Sequence, residues 1–487
     1  MRWLERWSPV ALAAIGAAAI ALWLFVAWRQ ILFPLELFGH EGVIVDHIRR
    51  LLDGQPLYGP PDILFVPLLY TPGFYLVCAA FAWAGDIAFV VPRGVSAVAT
   101  LVSMTCLALL TWRLTGRAVW AVVAIGGFAL GASRVDAWYA LAQVDNLSLM
   151  CLALAVTVGH SARTMRGYFL VGLILAAAFW CKQTGLVAGV LYAGVVLTGN
   201  WRHALAIALG MAIGIVPGVA LLAWASDGWF LYYAFEIPAG FGIQPLSLID
   251  MLLRDCPFLA PSYAAALVVL WRLRREGERE REMLRRLLAI AFCLFGTAAL
   301  GRAHPGGHVN TLLPAIWLMG LGLGAGIGML WKQKIPIGIT PRTRALIGVA
   351  ALLQFAVLAY DPNRFLPSPN GAAVLAEIRA KIAAAPQPVL LSGLGYLVGK
   401  VAGADHVAVN DVLRTDETLR RRFLDELEAA MKERRYRSVV LEDGLRSRWL
   451  GWHEPYYRNV GLLSDDTDAQ KVRTGIDYGP LSLIEAR

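Results

Sequence analysis

Charge is what this sequence has least of. Only 16% of its 487 residues are Asp, Glu, Lys or Arg, against about a quarter in an ordinary soluble protein. With 58% of residues apolar, the deficit excludes disorder, collagen, a coiled coil and a purely soluble enzyme. Cysteine is sparse as well. Cys78, Cys106, Cys151, Cys181, Cys256 and Cys293 lie in or beside apolar stretches without CxxC spacing, which is the pattern of buried hydrophobes and not of a disulfide framework or zinc site. There is no P-loop, and Gly393-Leu-Gly395 lacks the rest of a dinucleotide fingerprint. Nor is there a clear internal repeat, a frequent mark of alternating-access transporters.

What the chain has is long apolar segments. Those near 9–28, 93–112, 118–134, 146–162, 167–182, 184–200, 204–225, 257–271, 287–301, 311–331 and 345–360 suit membrane crossing. The expected class is a polytopic α-helical membrane protein. Val10–Ala27 follows Arg2 and Arg6 as a signal peptide would, but it is long and without a convincing cleavage site, so it reads as the first span. The formal charge of +9, from 44 basic and 35 acidic residues, resides in short loops between spans. That is positive-inside patterning and not a nucleic-acid footprint.

The stretch Ile63–Ala84 decides the topology. If it does not cross, Arg113/Arg117, Arg163/Arg166, Arg202, the run Arg272–Arg286 and Lys332, Lys334, Arg342 and Arg344 all face the cytoplasm. If it crosses, all of them face outward, against the positive-inside rule. Pro67, Pro72 and Gly73 also interrupt a continuous helix there. The reading is eleven spans, N-terminus inside, C-terminus outside. The run Arg272–Arg286 alternates in sign at helical spacing, as a solvated helix does. After Tyr360 a Pro/Asn-rich linker leads to helical periodicity at 371–385 and 416–434 and β-like runs at Val389–Ser392 and Ser438–Leu441. The expected division is a membrane domain over 1–361, with a first outer loop at 29–92, and an extracytoplasmic α/β domain over 362–487.

Polar residues gather at the outward ends. The first outer loop carries Glu41 and Asp46, on a helix expected over about 41–53 and stopped by Gly54; Glu41 then stands where the helix dipole favours a carboxylate. The second holds Asp136 and Asp145 beside Trp138 and Tyr139. Lys182 lies between apolar stretches, placed to snorkel or to meet a lipid phosphate. Arg302, His304 and His308 are candidates for the same anion. Pro305, Gly306 and Gly307 separate the two histidines and argue against a zinc pair on one helix face.

In order and sidedness these features resemble the GT-C superfamily of membrane glycosyltransferases. The likeness rests on the acidic first-loop segment ending RRLLDGQPLY, on VDNL with Asp145, on KQTGL with Lys182, and on the Gly306–Pro314 stretch with Asn310. It implies inverting transfer of a sugar from a polyprenyl-phosphate donor to a hydroxyl of a glycan, lipid or protein acceptor. It also implies a bacterial inner-membrane setting with the site outside the cytoplasm. Carried over, Glu41 or Asp46 is the general base, with Glu41 favoured. Lys182, Arg302 and His308 meet the donor phosphate, while Asp145 and Asn310 orient the acceptor or a metal. No soluble cofactor is required, and a divalent metal is left open. One departure stands out: many relatives carry Asp-Glu in the first loop where this chain has His40-Glu41. The alternatives are a transporter or flippase of lipid-linked saccharides and an inactive scaffold.

Overall fold

The computed structural model describes residues 2–82, 89–275, 277–331, 340–443, 455–477 and 479–487. Among them nine helices are long and apolar enough to cross a membrane, from Trp7–Ile31 near the N-terminus to Arg342–Arg364. Two further apolar helices, Met165–Cys181 and Thr184–Leu197, occupy expected positions but are shorter. A straight crossing takes about 20 residues, so length and composition alone mark nine crossings, and the expected eleven would include these two shorter helices. Lys332 and Lys334, counted above among the inner charges, lie outside the described residues.

In chain order the first nine helices are α1 (Arg2–Ile31), α2 (Glu41–Leu52), α3 (Gly73–Phe81), α4 (Val90–Thr115), α5 (Ala118–Leu130), α6 (Val144–Ser161), α7 (Met165–Cys181), α8 (Thr184–Leu197) and α9 (Trp201–Ala225). The stretch Ile63–Ala84 contributes no crossing helix in its described part. Residues 63–72 are irregular and α3 has nine residues, about 14 Å of helix against a ~30 Å hydrocarbon core. Positions 83 and 84 lie outside the described residues. Small residues let the crossing helices touch, since lipid offers no hydrophobic drive between them. A Cβ on Gly16 of α1 or Gly126 of α5 would strike the other helix's backbone.

The basic loops meet at one end of the bundle. There Arg113 donates to the Ser161 hydroxyl at 2.7 Å, and Arg286 donates to the His160 carbonyl at 2.5 Å. The chain's C-terminal sheet lies at the other end. Its strands are β1 (Val389–Leu391), β2 (Ser438–Glu442), β3 (Tyr457–Leu462) and β4 (Leu481–Ala486), ordered β1-β2-β4-β3. The β1/β2 pair is parallel, as a helical connection requires, and the other pairs are antiparallel. Helices Gly371–Ala384, His406–Thr415 and Glu417–Lys432 accompany the sheet. Backbone hydrogen bonds fasten this region to the first loop. The Arg473 and Thr474 amides donate to the Leu37 carbonyl at 2.9 and 3.1 Å, and the Ala404 amide donates to that of Ile63 at 3.1 Å.

Candidate functional site

Glu41 opens α2, and its carboxylate is closed off. Arg93, three residues into α4, reaches it from below with Nε at 2.9 Å from Oε1 and Nη2 at 2.5 Å from Oε2. The Leu37, Phe38 and Ala142 amides donate to the same two oxygens at 2.8, 3.3 and 2.7 Å. Arg93 spends its remaining N–H groups on the carbonyls of Gln30, Phe33 and Leu35. Both side chains have 0% exposure. A buried pair is tolerable only when every donor and lone pair is engaged, and here each is. The result is a rivet joining α1's exit, the first loop, α4 and the second loop.

Asp46 faces elsewhere. It lies one turn on, buried, 3.5 Å from Arg49. A Cβ on Gly395 would collide with it, which puts Asp46 at the seam between α2 and the C-terminal region. Burial pushes its carboxyl up to about 8, against the pull of Arg49. Its neighbour His47 is a neutral tie: Nδ1 donates to the Val43 carbonyl at 2.7 Å and Nε2 accepts from the Leu68 amide at 2.9 Å. Burial holds that imidazole down at about 4, the Val43 contact opposing. It anchors the irregular 63–72 segment onto α2.

The residues the second loop, Lys182 and Asn310 contribute do converge. Asp145 stands in the first turn of α6, and Lys182 caps α7 in extended conformation. Lys182 Nζ is 2.6 Å from Asp145 Oδ1, which also accepts from the Asn310 amide at 3.2 Å. The Trp138 indole N–H donates to Oδ2 at 3.1 Å. The Tyr70 ring faces the ammonium at 5.7 Å. Asp145, Lys182, Gly301 and Asn310 line one cavity together with Ser148 and Thr311. Lys182 keeps 16% side-chain exposure there and gives Asp145 one hydrogen bond, so an anion entering the cavity can meet its other N–H groups.

Arg302 and His308 stand beside this cluster without joining it. The Arg302 guanidinium is 3.2 Å from Asp255 and donates to the Gly307 carbonyl at 2.7 Å. His308 Nε2 is 3.7 Å from Asp136, and its ring lies 5.9 Å from that of Trp138. His304 is committed to the Pro305 and Pro238 carbonyls. Among the described residues no group of three or more His, Cys, Asp or Glu is arranged to hold a metal ion, and Asp145 is already matched by Lys182. The donor set therefore does not fit a divalent metal.

Three functional neighbours escaped the sequence reading. Arg93 registered only as the start of a span, and Tyr70 as part of an awkward apolar stretch. Asp405 carries an N-cap signal for the helix behind it, but nothing in sequence brings it to His40, which it meets at 3.8 Å.

No sequence-family model matches the chain, and no curated protein matches it by sequence. Solved structures do match. The chain is similar to ArnT from Cupriavidus metallidurans bound to undecaprenyl phosphate, with a TM-score of 0.59 at 12% identity over 97% of both chains. It is also similar to the oligosaccharyltransferase AglB from Archaeoglobus fulgidus in complex with an inhibitory peptide and a dolichol-phosphate. There the TM-score is 0.56 at 12% identity, covering 95% of this chain and 74% of that one. The Archaeoglobus fulgidus oligosaccharyltransferase complex with Zn and sulfate gives 0.54 at 14% identity, over 92% and 71%. The chain has the GT-C fold.

Proposed function

We propose that this chain is a glycosyltransferase that moves a sugar from a polyprenyl-phosphate carrier to an acceptor hydroxyl. The transfer takes place at the end of the bundle that carries the sheet. The observation that supports it most is the Lys182 ammonium, held by Asp145 at 2.6 Å in the wall of a cavity at that end. A lipid carrier brings its phosphate to the same depth while its tail stays among the helices. The neighbours whose structures hold undecaprenyl phosphate or a dolichol-phosphate share the fold that makes such an approach feasible. The arginine-rich end is then cytoplasmic by the positive-inside rule, and the cavity opens on the outer face of a bacterial inner membrane.

On this reading the acceptor oxygen attacks the anomeric carbon, the bond from that carbon to the phosphate oxygen breaks, and configuration inverts. The leaving polyprenyl phosphate gathers negative charge, which a preorganised cation stabilises more in the transition state than in the ground state. Lys182 supplies that cation. Asp145, itself fixed by Asn310 and Trp138, holds its ammonium in position, so little reorganisation is needed as charge develops. Arg302 and His308 stand at the rim and meet the phosphate only after exchanging Asp255 and Asp136 for it. Glu41 acts here as the rivet and not as a base, because a base must offer a lone pair to the acceptor and both of its oxygens are occupied. Asp46, turned to the C-terminal seam, is likewise architectural.

The test is a transfer assay on purified protein in lipid nanodiscs, with radiolabelled polyprenyl-phosphate sugars as donors and a membrane extract as acceptor. Turnover from at least one donor, lost in Lys182→Met, is the expected result. Donor movement across the bilayer without transfer would replace the enzyme with a flippase. Neither binding nor turnover would leave a scaffold.

A further inference from the structure

The proposed transfer leaves the acceptor's proton without a destination, since Glu41 is closed and Asp46 faces away. Beside Glu41, the side chain of His40 remains partly open. His40 is the N-cap residue of α2 and makes no capping hydrogen bond with its side chain. Its imidazole keeps 19% exposure. The ring packs edge-on against Phe38 at 4.9 Å, and Phe38 in turn meets Trp138 at 4.6 Å. Trp138 donates to Asp145, the partner of Lys182. Through Phe38, Trp138 and Asp145, His40 is thus connected to the ammonium proposed to hold the phosphate.

The two nitrogens of this ring have different surroundings. Nδ1 is buried and points to Asp405 Oδ2 at 3.8 Å, a gap that a small rotation closes to a hydrogen bond. Asp405 is itself fixed: its Oδ1 accepts from the Val407 and Ala408 amides at 2.9 and 3.2 Å, capping the helix His406–Thr415. Its second oxygen is thereby presented to His40 and to His406, at 3.9 Å from the latter. Burial works to neutralise Asp405, but His406, His40 and the Ala408 amide outweigh it and keep the carboxyl below its ordinary range. Burial drives His406 down to about 4, with Asp405 opposing, so at neutral pH His406 is uncharged and the carboxylate serves His40. The third titratable group facing His40 is Asp411, which burial raises to about 6 despite Arg414.

We propose that His40, oriented by Asp405 from the C-terminal domain, is the general base that takes the proton of the acceptor hydroxyl. With Nδ1–H directed at Asp405, Nε2 carries the lone pair, on a ring that is 19% exposed. The acceptor O–H bond breaks as the new bond from oxygen to the anomeric carbon forms. The proton goes to Nε2 and the electron pair of the breaking glycosyl bond goes to the phosphate. The imidazolium then returns its proton to water or to the departing phosphate. Asp405 is a positioning residue: it fixes the tautomer and stabilises the imidazolium without touching the acceptor. The site is complete only when the first loop and the C-terminal domain are docked.

This inference rests on the proposed transfer, and two readouts separate their fates. In the nanodisc assay His40→Gln should lower kcat by about 10²–10⁴-fold, the usual weight of a general base, while undecaprenyl phosphate binding stays within threefold of wild type. Asp405→Asn should lower kcat less than His40→Gln does, with the donor KM unchanged, and Asp405→Glu should restore part of the loss. If His40→Gln retains kcat within threefold, the base lies elsewhere. Should wild type show no turnover at all, the transfer reading fails, and the pairing is still tested by acylation of His40 with diethyl pyrocarbonate, followed by mass spectrometry. The rate of that acylation at fixed pH should change at least threefold in Asp405→Ala, where the ring loses the partner that orients it; an unmoved rate overturns the pairing, whatever the enzyme does.

Discussion

Two acid–base pairs lie at the same end of this molecule, and they are built in opposite ways. Glu41–Arg93 is sealed, with 0% exposure on both sides and all donors and acceptors consumed. Asp145–Lys182 is as short, at 2.6 Å, yet its lysine keeps 16% exposure and three rotatable donors at a cavity wall. A guanidinium fork matched to a carboxylate is a structural joint, whereas an ammonium is a movable point charge that can exchange one anion for another. Charge near a membrane thus carries no function by itself; the fraction of its bonding capacity left free distinguishes joint from site.

Breaking the sealed pair should have the largest effect. Arg93→Met strands a buried carboxylate, which costs about 3–5 kcal/mol when one partner of a buried pair is removed. We expect a large fall in thermal unfolding temperature in detergent, and Glu41→Gln should follow in the same direction. If instead Glu41→Gln unfolds like wild type and only turnover is lost, the joint assignment is wrong.

The open pair should respond the other way round. Lys182→Met is expected to weaken undecaprenyl phosphate binding by at least about tenfold, roughly 1.4 kcal/mol, with a smaller fall in unfolding temperature than Arg93→Met gives. Asn310 and Trp138 remain to satisfy Asp145 in that variant. A smaller effect attends Asn310→Ala, which removes one hydrogen bond that supports Asp145 and should weaken binding by about 1 kcal/mol or less. Equal losses in Lys182→Met and Asn310→Ala would dissolve the contrast between charge and support.

The seam offers the mildest test. The folded-state pKa of Asp46 is raised to about 8 by burial, Arg49 opposing, above its unfolded value of about 3.9. The native state therefore holds a proton that the unfolded chain has released. Stability from this group is present at low pH and is lost as pH rises through 8. Unfolding temperature should decline between about pH 4 and 8 and level off above, and Asp46→Asn should flatten that decline. A slope unchanged in the variant would move the titration to another group, with Glu442, also raised to about 8 by burial and the charge of Asp405, next in line.

Much of the architecture was legible before any coordinates. Apolar length marked the helices, and charge placement kept Ile63–Ala84 out of the set of crossings, in accord with the nine-residue α3. Helix and strand periodicity past Tyr360 marked where the small sheet forms. What length could not settle was the number of crossings, because α7 and α8 are shorter than a straight span requires. Lys182, Asp145 and Asn310 were each singled out from sequence, but as separate polar residues in separate segments.

Their pairing belongs to the tertiary structure. Lys182 and Asp145 are 37 positions apart and Glu41 and Arg93 are 52 apart, while Asp405 reaches His40 from the opposite end of the chain. One sequence records which side chains are polar and how they repeat along a helix, since solvation and backbone geometry act locally. Whether a carboxylate ends with five hydrogen bonds or with a free lone pair depends on what the fold packs around it. Glu41, prominent in sequence, became a joint for that reason, and His40, which looked like a departure from pattern, kept part of its imidazole exposed.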